Sequence, residues 1–539
     1  MDGSTIDGSL RPIGVRPHPL STARPRLAVG AVFALAGAVL LAHLLTNALT
    51  PYGVHRDEFL YMAMGRHLRL FRMDFPPLIA LLAEASRAFG DSLVVVRSTP
   101  ALAGAALVVL AALVARELGG GRYAQALAGL AVATGPLYLR PGNLFQPVVF
   151  DQLWWTLGLL ALAHLGREGF PGGSRWWLVL GVAGGLGLLT KFSILLFGAA
   201  VLAALVIAPQ RRALLTRGPW LAVALALVLG GPSIVGQMRL GWPVAGQMHD
   251  LEGAQLQHVT YSGFFAGQVM MLGPAVALAA LGLAALLVAR AYRPFRVVGW
   301  AAAGSFLLLL ALHGKPYYAG PIYPALFGAG AATLAAWTTR IRAAGHAAGA
   351  GFARGGAMLV VAAFGAVTLP LGLPIVPPGA MARYAAALGV SAATRTNRGT
   401  ALPLPQDYAD MLGWQEQVAA VASAYHSLPV AEREAAVIVA DNYGEAGAID
   451  FYGPRLGLPP AVAPVGSYWF FGPGDKPGEV IVKVGGSRDD LAPYCRSIAL
   501  AGRVNARWVV PEERDLSIWI CRHPYRTLQA IWPSFAGRN

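Results

Sequence analysis

Charge is scarce in this chain, and acidic charge most of all. Only 13% of its 539 residues are Asp, Glu, Lys or Arg, with 27 acids against 42 basic residues; a globular domain carries about 25% charged residues. Hydrophobic residues reach 56% and mean hydropathy is +0.53. So little charge excludes an ordinary soluble enzyme of this length and calls for lipid as the solvent of much of the chain. The excess of basic residues is confined to one part. Up to Val376 there are 27 basic and 12 acidic residues, and after it 15 of each, which excludes nucleic-acid binding as the source of the charge and points to cytoplasmic membrane loops. Cysteine is almost missing: Cys495 and Cys521 are the only two, and they form a disulfide or remain two buried thiols. No heptad array, low-complexity tract or repeat of fixed period is visible, and no small-residue cleavage site precedes the first apolar run, so that run is expected to be an uncleaved anchor.

What is present is a series of apolar runs long enough to cross a hydrocarbon core of about 30 Å as helices. About eleven are expected, near residues 27–49, 93–115, 123–139, 149–165, 176–189, 192–208, 220–238, 264–288, 297–312, 318–337 and 357–375. Loop arginines set the orientation. Arg11, Arg16, Arg24 and Arg26 precede the first span, and the pairs Arg116/Arg122, Arg211/Arg212, Arg290/Arg293 and Arg340/Arg342 fall on the same side, which the charge bias makes cytoplasmic. Asp57, Glu58, Asp74, Asp151 and Asp250 fall on the other. The expected organisation is a cytoplasmic N-terminal segment 1–26, an all-α polytopic membrane bundle 27–376, and an extracytoplasmic α/β domain 377–539. In the last, 415–427 reads as a helix and 436–440, 480–484 and 517–521 as short strands.

The first outer loop is long and patterned. Leu60, Met64, Leu68 and Phe71 share one helical face, and Leu78, Leu82 and Phe89 another after Pro76-Pro77, which predicts two amphipathic helices lying on the membrane surface. Asp57-Glu58 at the outer end of the first span suits a general base for an acceptor hydroxyl, although paired acids also occur as solvated loop charge. Asp151, in Phe150-Asp151-Gln152 at the lip of a span, is an ionisable group at a depth where charge is costly. Lys191 and Lys315 stand at outer ends of apolar runs, the latter in Gly314-Lys315-Pro316-Tyr317-Tyr318. Such cations bind a lipid phosphate, with tyrosine hydroxyls as further donors, or simply reach the headgroups.

Taken in order, Asp57-Glu58, Asp74-Phe75-Pro76-Pro77, Phe150-Asp151-Gln152, Leu189-Thr190-Lys191 and Gly314-Lys315-Pro316-Tyr317-Tyr318 resemble the integral-membrane GT-C glycosyltransferases. More narrowly, the chain resembles the bacterial family 39 proteins, related to protein O-mannosyltransferases and to the aminoarabinose transferases of lipid A. The run from Asp441 to Gly453 in the outer domain is similar to a segment common in that group. The resemblance implies transfer of a hexosyl or pentosyl group from a polyprenyl-phosphate donor to an envelope glycan, lipid or protein outside the inner membrane. Asp57 is then the base with Glu58 beside it, Asp151 a second acid, and Lys191, Lys315, Tyr317 and Tyr318 the donor-phosphate site. Phe75 stands where many relatives carry a basic or histidine residue. No cofactor is required, but some relatives use a divalent metal held by a loop acid and a later histidine, which Asp74 or Glu58 with His249 would reproduce, although a lone loop histidine is more often solvated. No Gly-rich nucleotide loop follows a strand, against a nucleotide-sugar donor used from the cytoplasm. Asp441-Asn442-Tyr443-Gly444 is expected simply to make a turn. The rival reading is a transporter or lipid flippase, for which a polytopic bundle with buried charge is equally natural. A non-catalytic scaffold is a third.

Overall fold

A computed structural model describes residues 24–390 and 394–537. Arg11 and Arg16 of the N-terminal segment lie outside the described residues. Every stretch expected to span is helical, because each is a long apolar run whose backbone polar groups must be satisfied within the segment. Among the described residues six helices are long and apolar enough to cross a membrane: Val29–Leu49, Ser98–Glu117, Pro147–Glu168, Arg217–Leu240, Arg290–Ala311 and Ala347–Gly372. The remaining stretches are shorter, broken or less apolar, the last being Tyr323–Ala343. Trp176–Leu188 and Ile194–Ile207 flank Thr190-Lys191. The stretch expected as one span over 264–288 is two helices, Tyr261–Leu272 and Ala275–Val288, bent by 110°. Gly273 at the bend has φ +51° and Pro274 follows it; a left-handed residue and a missing N–H together end a helix. Pro136 after Gly135 similarly divides Arg122–Thr134 from Pro136–Gly142.

The outer domain is built on a five-stranded mixed sheet, with β1 Ala436–Val439, β2 Ala461–Val462, β3 Val480–Val484, β4 Cys495–Val504 and β5 Leu516–Pro524, in the order β2-β1-β3-β5-β4. β1 runs parallel to β2 and β3, while β5 is antiparallel to β3 and β4. The two short strands β1 and β3 read as apolar runs because the sheet is covered on both faces there. β4 alternates with exposed residues and carries no such signal. Cys495 and Cys521 are joined in a disulfide.

The first outer loop departs from expectation. Its first helix, Arg56–Arg66, ends before Leu68 and Phe71 and buries Glu58, Phe59, Tyr61, Met62, Ala63 and Met64. It is therefore not a surface helix. The outer-domain helix Tyr443–Tyr452 packs directly on it, and Gly447 provides the room: a Cβ there would lie 2.4 Å from the Cβ of Phe59. The Phe59 ring meets Trp414, Phe451 and Tyr452 at centroid distances of 5.6, 5.8 and 5.9 Å. Backbone bonds add to this, from Gly53 N–H to Met411 O and from Arg56 N–H to Asp410 O, at 3.2 and 3.0 Å. The loop is clamped between bundle and outer domain.

Candidate functional site

The helix Arg56–Arg66 begins with His55 as N-cap. Its Nδ1 accepts the Asp57 amide N–H at 3.1 Å, while the Glu58 carboxylate accepts the His55 amide N–H at 2.7 Å. This reciprocal cap sends the two adjacent acids in opposite directions. Glu58 points inward and is fully buried. Its Oε1 accepts Arg97 Nε and the Phe145 amide, each at 2.7 Å, and its Oε2 accepts Arg97 Nη2 at 2.7 Å as well as His55. All four lone-pair sites of the carboxylate are occupied. Burial works to raise its pKa, but the Arg97 guanidinium prevails and holds it below the usual value. A carboxylate so filled has no site for a substrate proton, and the expectation of Glu58 as a catalytic acid is corrected: it anchors the helix.

Asp57 is half-buried and is held only by neutral donors. The Tyr443 hydroxyl donates to Oδ1 at 2.9 Å and the Gln146 amide to Oδ2 at 3.1 Å. The Tyr443 ring lies under the Arg56 guanidinium, 4.9 Å from its centroid. Burial and the neighbouring Asp57 charge push the Tyr443 phenol upward, so it is a donor. Beneath Asp57, His55 Nε2 sits 3.8 Å from both Asp407 and Asp410. Burial opposes protonation of His55, yet Asp407, Asp57 and Asp410 push it up to about 9. Against that, a second proton would need Nδ1, which already accepts the Asp57 amide, so the cap favours the neutral ring with its proton on Nε2.

The bundle supplies the other half of the site. Lys315 and Tyr317 lie within electrostatic reach of Asp57. Tyr317 and Tyr318 meet edge to face at 4.7 Å, and Lys191 Nζ lies 4.1 Å over the Tyr318 ring. Asp151, buried on Pro147–Glu168, accepts the Ser193 hydroxyl at 2.9 Å. Lys191 and Asp151 act electrostatically on each other, and Lys315 acts on Tyr318. Asp57, Lys315, Tyr317, Tyr318, Lys191 and Asp151 thus form one continuous set. The break between Trp176–Leu188 and Ile194–Ile207 is what exposes Lys191, and the Leu78 amide seals it from the loop side by donating to Leu189 O at 2.8 Å.

Asp74 and His249 have different surroundings. Asp74 is buried, and its Oδ2 accepts the Ser467 hydroxyl at 2.7 Å and the Gln247 amide at 3.3 Å. His249 is exposed on Pro243–Ala254, and among the described residues no three His, Cys, Asp or Glu are grouped as a metal site needs. Asp74 instead fastens the loop to the outer domain.

Arg97, Gln146, Ser193 and Tyr443 were not expected at the site. Arg97 had a signal, a lone arginine inside an apolar run. The turn expected at Asp441–Gly444 is in fact a helix start: Asn442 accepts the Gly444 and Glu445 amides at 2.8 and 3.0 Å, and Glu445 accepts the Asp441 amide at 2.7 Å. A cavity of about 310 Å³ adjoins this cap, lined by Asp441, Asn442, Glu445, Glu512 and Asp515 among others; Asp57 and Tyr443 are not in its wall.

Residues 74–235 match the family model for dolichyl-phosphate-mannose-protein mannosyltransferase. Two crystal structures of ArnT from Cupriavidus metallidurans share the fold. The one bound to undecaprenyl phosphate gives a TM-score of 0.58 at 16% identity over 92% of this chain and 98% of that one. The apo form gives 0.58 at 17% identity with the same coverage. The apo oligosaccharyltransferase of Archaeoglobus fulgidus aligns over 79% of this chain and 63% of its own, at 14% identity and a TM-score of 0.48. No curated protein sequence matches the chain. The chain shares the fold of these ArnT structures over nearly its whole length, outer domain included.

Proposed function

We propose that the protein is an integral-membrane glycosyltransferase that moves a sugar from a polyprenyl-phosphate donor to an acceptor hydroxyl on the extracytoplasmic side of the inner membrane, with its N-terminus in the cytoplasm. The observation that carries this reading is Asp57: a carboxylate held by two neutral donors, within reach of the Lys315 cation. Asp57 takes the proton of the acceptor hydroxyl as its oxygen attacks the anomeric carbon. The bond from that carbon to the phosphate oxygen breaks, with inversion, and the lipid phosphate leaves. Lys191 and Lys315, with the hydroxyls of Tyr317 and Tyr318, are placed to stabilise the charge that develops on it. Asp151, which accepts the Ser193 hydroxyl, acts on Lys191 electrostatically and is the second acid of the site. The undecaprenyl phosphate bound by ArnT and the family model over 74–235 support a lipid-phosphate donor.

The experiment is label transfer. Protein reconstituted in lipid vesicles is given radiolabelled polyprenyl-phosphate sugars, hexoses and pentoses, with cell-envelope glycan, lipid and protein acceptors. Covalent transfer that is lost in Asp57→Asn supports the reading. Movement of intact donor across the bilayer with no covalent product overturns it in favour of a transporter.

A further inference from the structure

The outer domain could cap the bundle without touching the chemistry. One contact says otherwise. Tyr443 is 386 positions from Asp57 in sequence, and its hydroxyl is the shortest side-chain hydrogen bond that Asp57 receives, 2.9 Å against 3.1 Å from Gln146. The position of that hydroxyl is fixed on every side. Tyr443 is the first residue of its helix, whose start is locked by the reciprocal Asn442–Glu445 cap, and the Asn442 amide donates to Glu513 at 3.0 Å, tying the cap to the neighbouring loop. The phenol ring is pinned beneath Arg56. The helix is packed closely on the loop helix, since a Cβ at Gly447 would lie 2.4 Å from the Cβ of Phe59, and Arg66 ties the far end of the same interface by donating to Asp450 O at 2.9 Å.

We infer that Tyr443 is a positioning residue of the transfer reaction, holding the Asp57 carboxylate in the orientation in which its free lone pair meets the acceptor hydroxyl, so that the outer domain completes the active site. The inference rests on the reading of Asp57 as the base. A carboxylate on a short side chain rotates about its terminal bond unless both oxygens are held, and a base misplaced by about 1 Å loses on the order of 100-fold in rate. Neutral donors serve this purpose better than an arginine, which would fix the group but quench its basicity, as Arg97 does for Glu58.

The test is Tyr443→Phe in full-length protein reconstituted in vesicles, assayed by label transfer beside Asp57→Asn and the double variant. The phenylalanine keeps the ring under Arg56 and removes only the hydroxyl. Expected are a fall in kcat of roughly 10-fold or more and an unchanged KM for the donor. The groups facing Asp57 that remain unchanged are His55, Arg56 and Tyr61 from its own segment, Asp410 from the outer domain, and Lys315 and Tyr317 from the bundle. In the Asp57→Asn background the hydroxyl has no base to orient, so the second substitution costs nothing further. Wild-type kcat in Tyr443→Phe, or a penalty that persists in the double variant, overturns the inference while an inactive Asp57→Asn leaves the reading of the base standing. Full activity in Asp57→Asn overturns that reading itself.

Discussion

Two helices that pack on each other, Arg56–Arg66 of the membrane loop and Tyr443–Tyr452 of the outer domain, begin in the same way. Each has a reciprocal cap whose third residue is a buried glutamate, Glu58 in one and Glu445 in the other, exposed by 0% and 2%. Their electrostatics are opposite. Burial raises the pKa of both, but at Glu58 the Arg97 guanidinium overcomes it, whereas at Glu445 the nearest strong neighbour is the Glu513 carboxylate, and Glu445 rises to about 8. The cap alone therefore does not decide protonation; the partner does. Asp57, immediately beside Glu58, has neither an arginine nor an acid bonded to it, and Tyr443 joins it to the second cap. The arrangement separates a carboxylate tied to an arginine from one held by neutral donors, the feature on which the proposed base depends.

The sharpest way to break this comparison is to neutralise the two adjacent acids in turn. Asp57→Asn keeps the hydrogen-bonding outline and removes the base, so transfer should fall by about 10²–10⁴-fold with the unfolding transition in detergent unchanged. Glu58→Gln should do the reverse. It leaves the fully buried Arg97 without its counter-charge, at a cost of about 3–5 kcal/mol, read as a lowered melting temperature before any activity is measured. Should the two variants behave alike, the division between them is wrong.

Sequence reasoning reached the membrane helices and the α/β character of the outer domain because hydropathy and alternation are local. It singled out Asp57, Asp151, Lys191 and Lys315 because an isolated charge beside an apolar run is visible in a window of a few residues. Composition and spacing alone did not rank Asp57 against Glu58, which only the family resemblance did. Their difference lies in Arg97, 39 positions from Glu58, and in Tyr443, contacts that no periodicity encodes. The bend at Gly273-Pro274 was legible in composition but hidden by the hydropathy on both sides. β4 was missed because its outer residues are exposed, and β2 because two residues carry no pattern. The Asn442-x-x-Glu445 spacing is a helix-start signature, and it outweighs the turn preference of Asn and Gly on which the expectation relied.

The two caps should also respond to pH with opposite sign. Glu58 is more acidic in the folded chain than its ordinary value of 4.5, so its contribution is present above that value and is lost as the pH falls through the acid range. Glu445 and Glu513 are pushed up, by burial first and then by neighbouring acids, to about 8 and about 7. Their folded forms hold protons that the unfolded chain releases, so the stability they contribute is full below about 4.5 and declines as the pH rises to about 8. Lys483, Arg56 and Asn442 moderate the effect without reversing it. Glu445→Gln retains an acceptor for the cap amides and cannot ionise. It should be nearly neutral at pH 5 and stabilise the outer domain by on the order of 1–3 kcal/mol at pH 9, measured by thermal unfolding at the two values. Equal effects at both would mean that the glutamate is ionised throughout and that the contrast with Glu58 fails.

The smallest effect is expected where the same chemical pair is placed in water. Glu432 and Arg522 of the outer domain repeat the two-pronged contact of Glu58 and Arg97. Arg522 Nε lies 3.1 and 3.0 Å from the two carboxylate oxygens, and Nη2 lies 2.8 Å from one of them. The difference is exposure, 31% and 30% for these side chains against none for the buried pair. Both partners remain hydrated whether or not they are joined, so little desolvation cost is left uncompensated when one is removed, and salt screens what attraction remains. Glu432→Gln should therefore leave the melting temperature within replicate scatter at moderate ionic strength. If it lowered the melting temperature as far as Glu58→Gln does, geometry rather than burial would set the strength of such pairs in this protein, and the severity expected at Glu58 would need another cause.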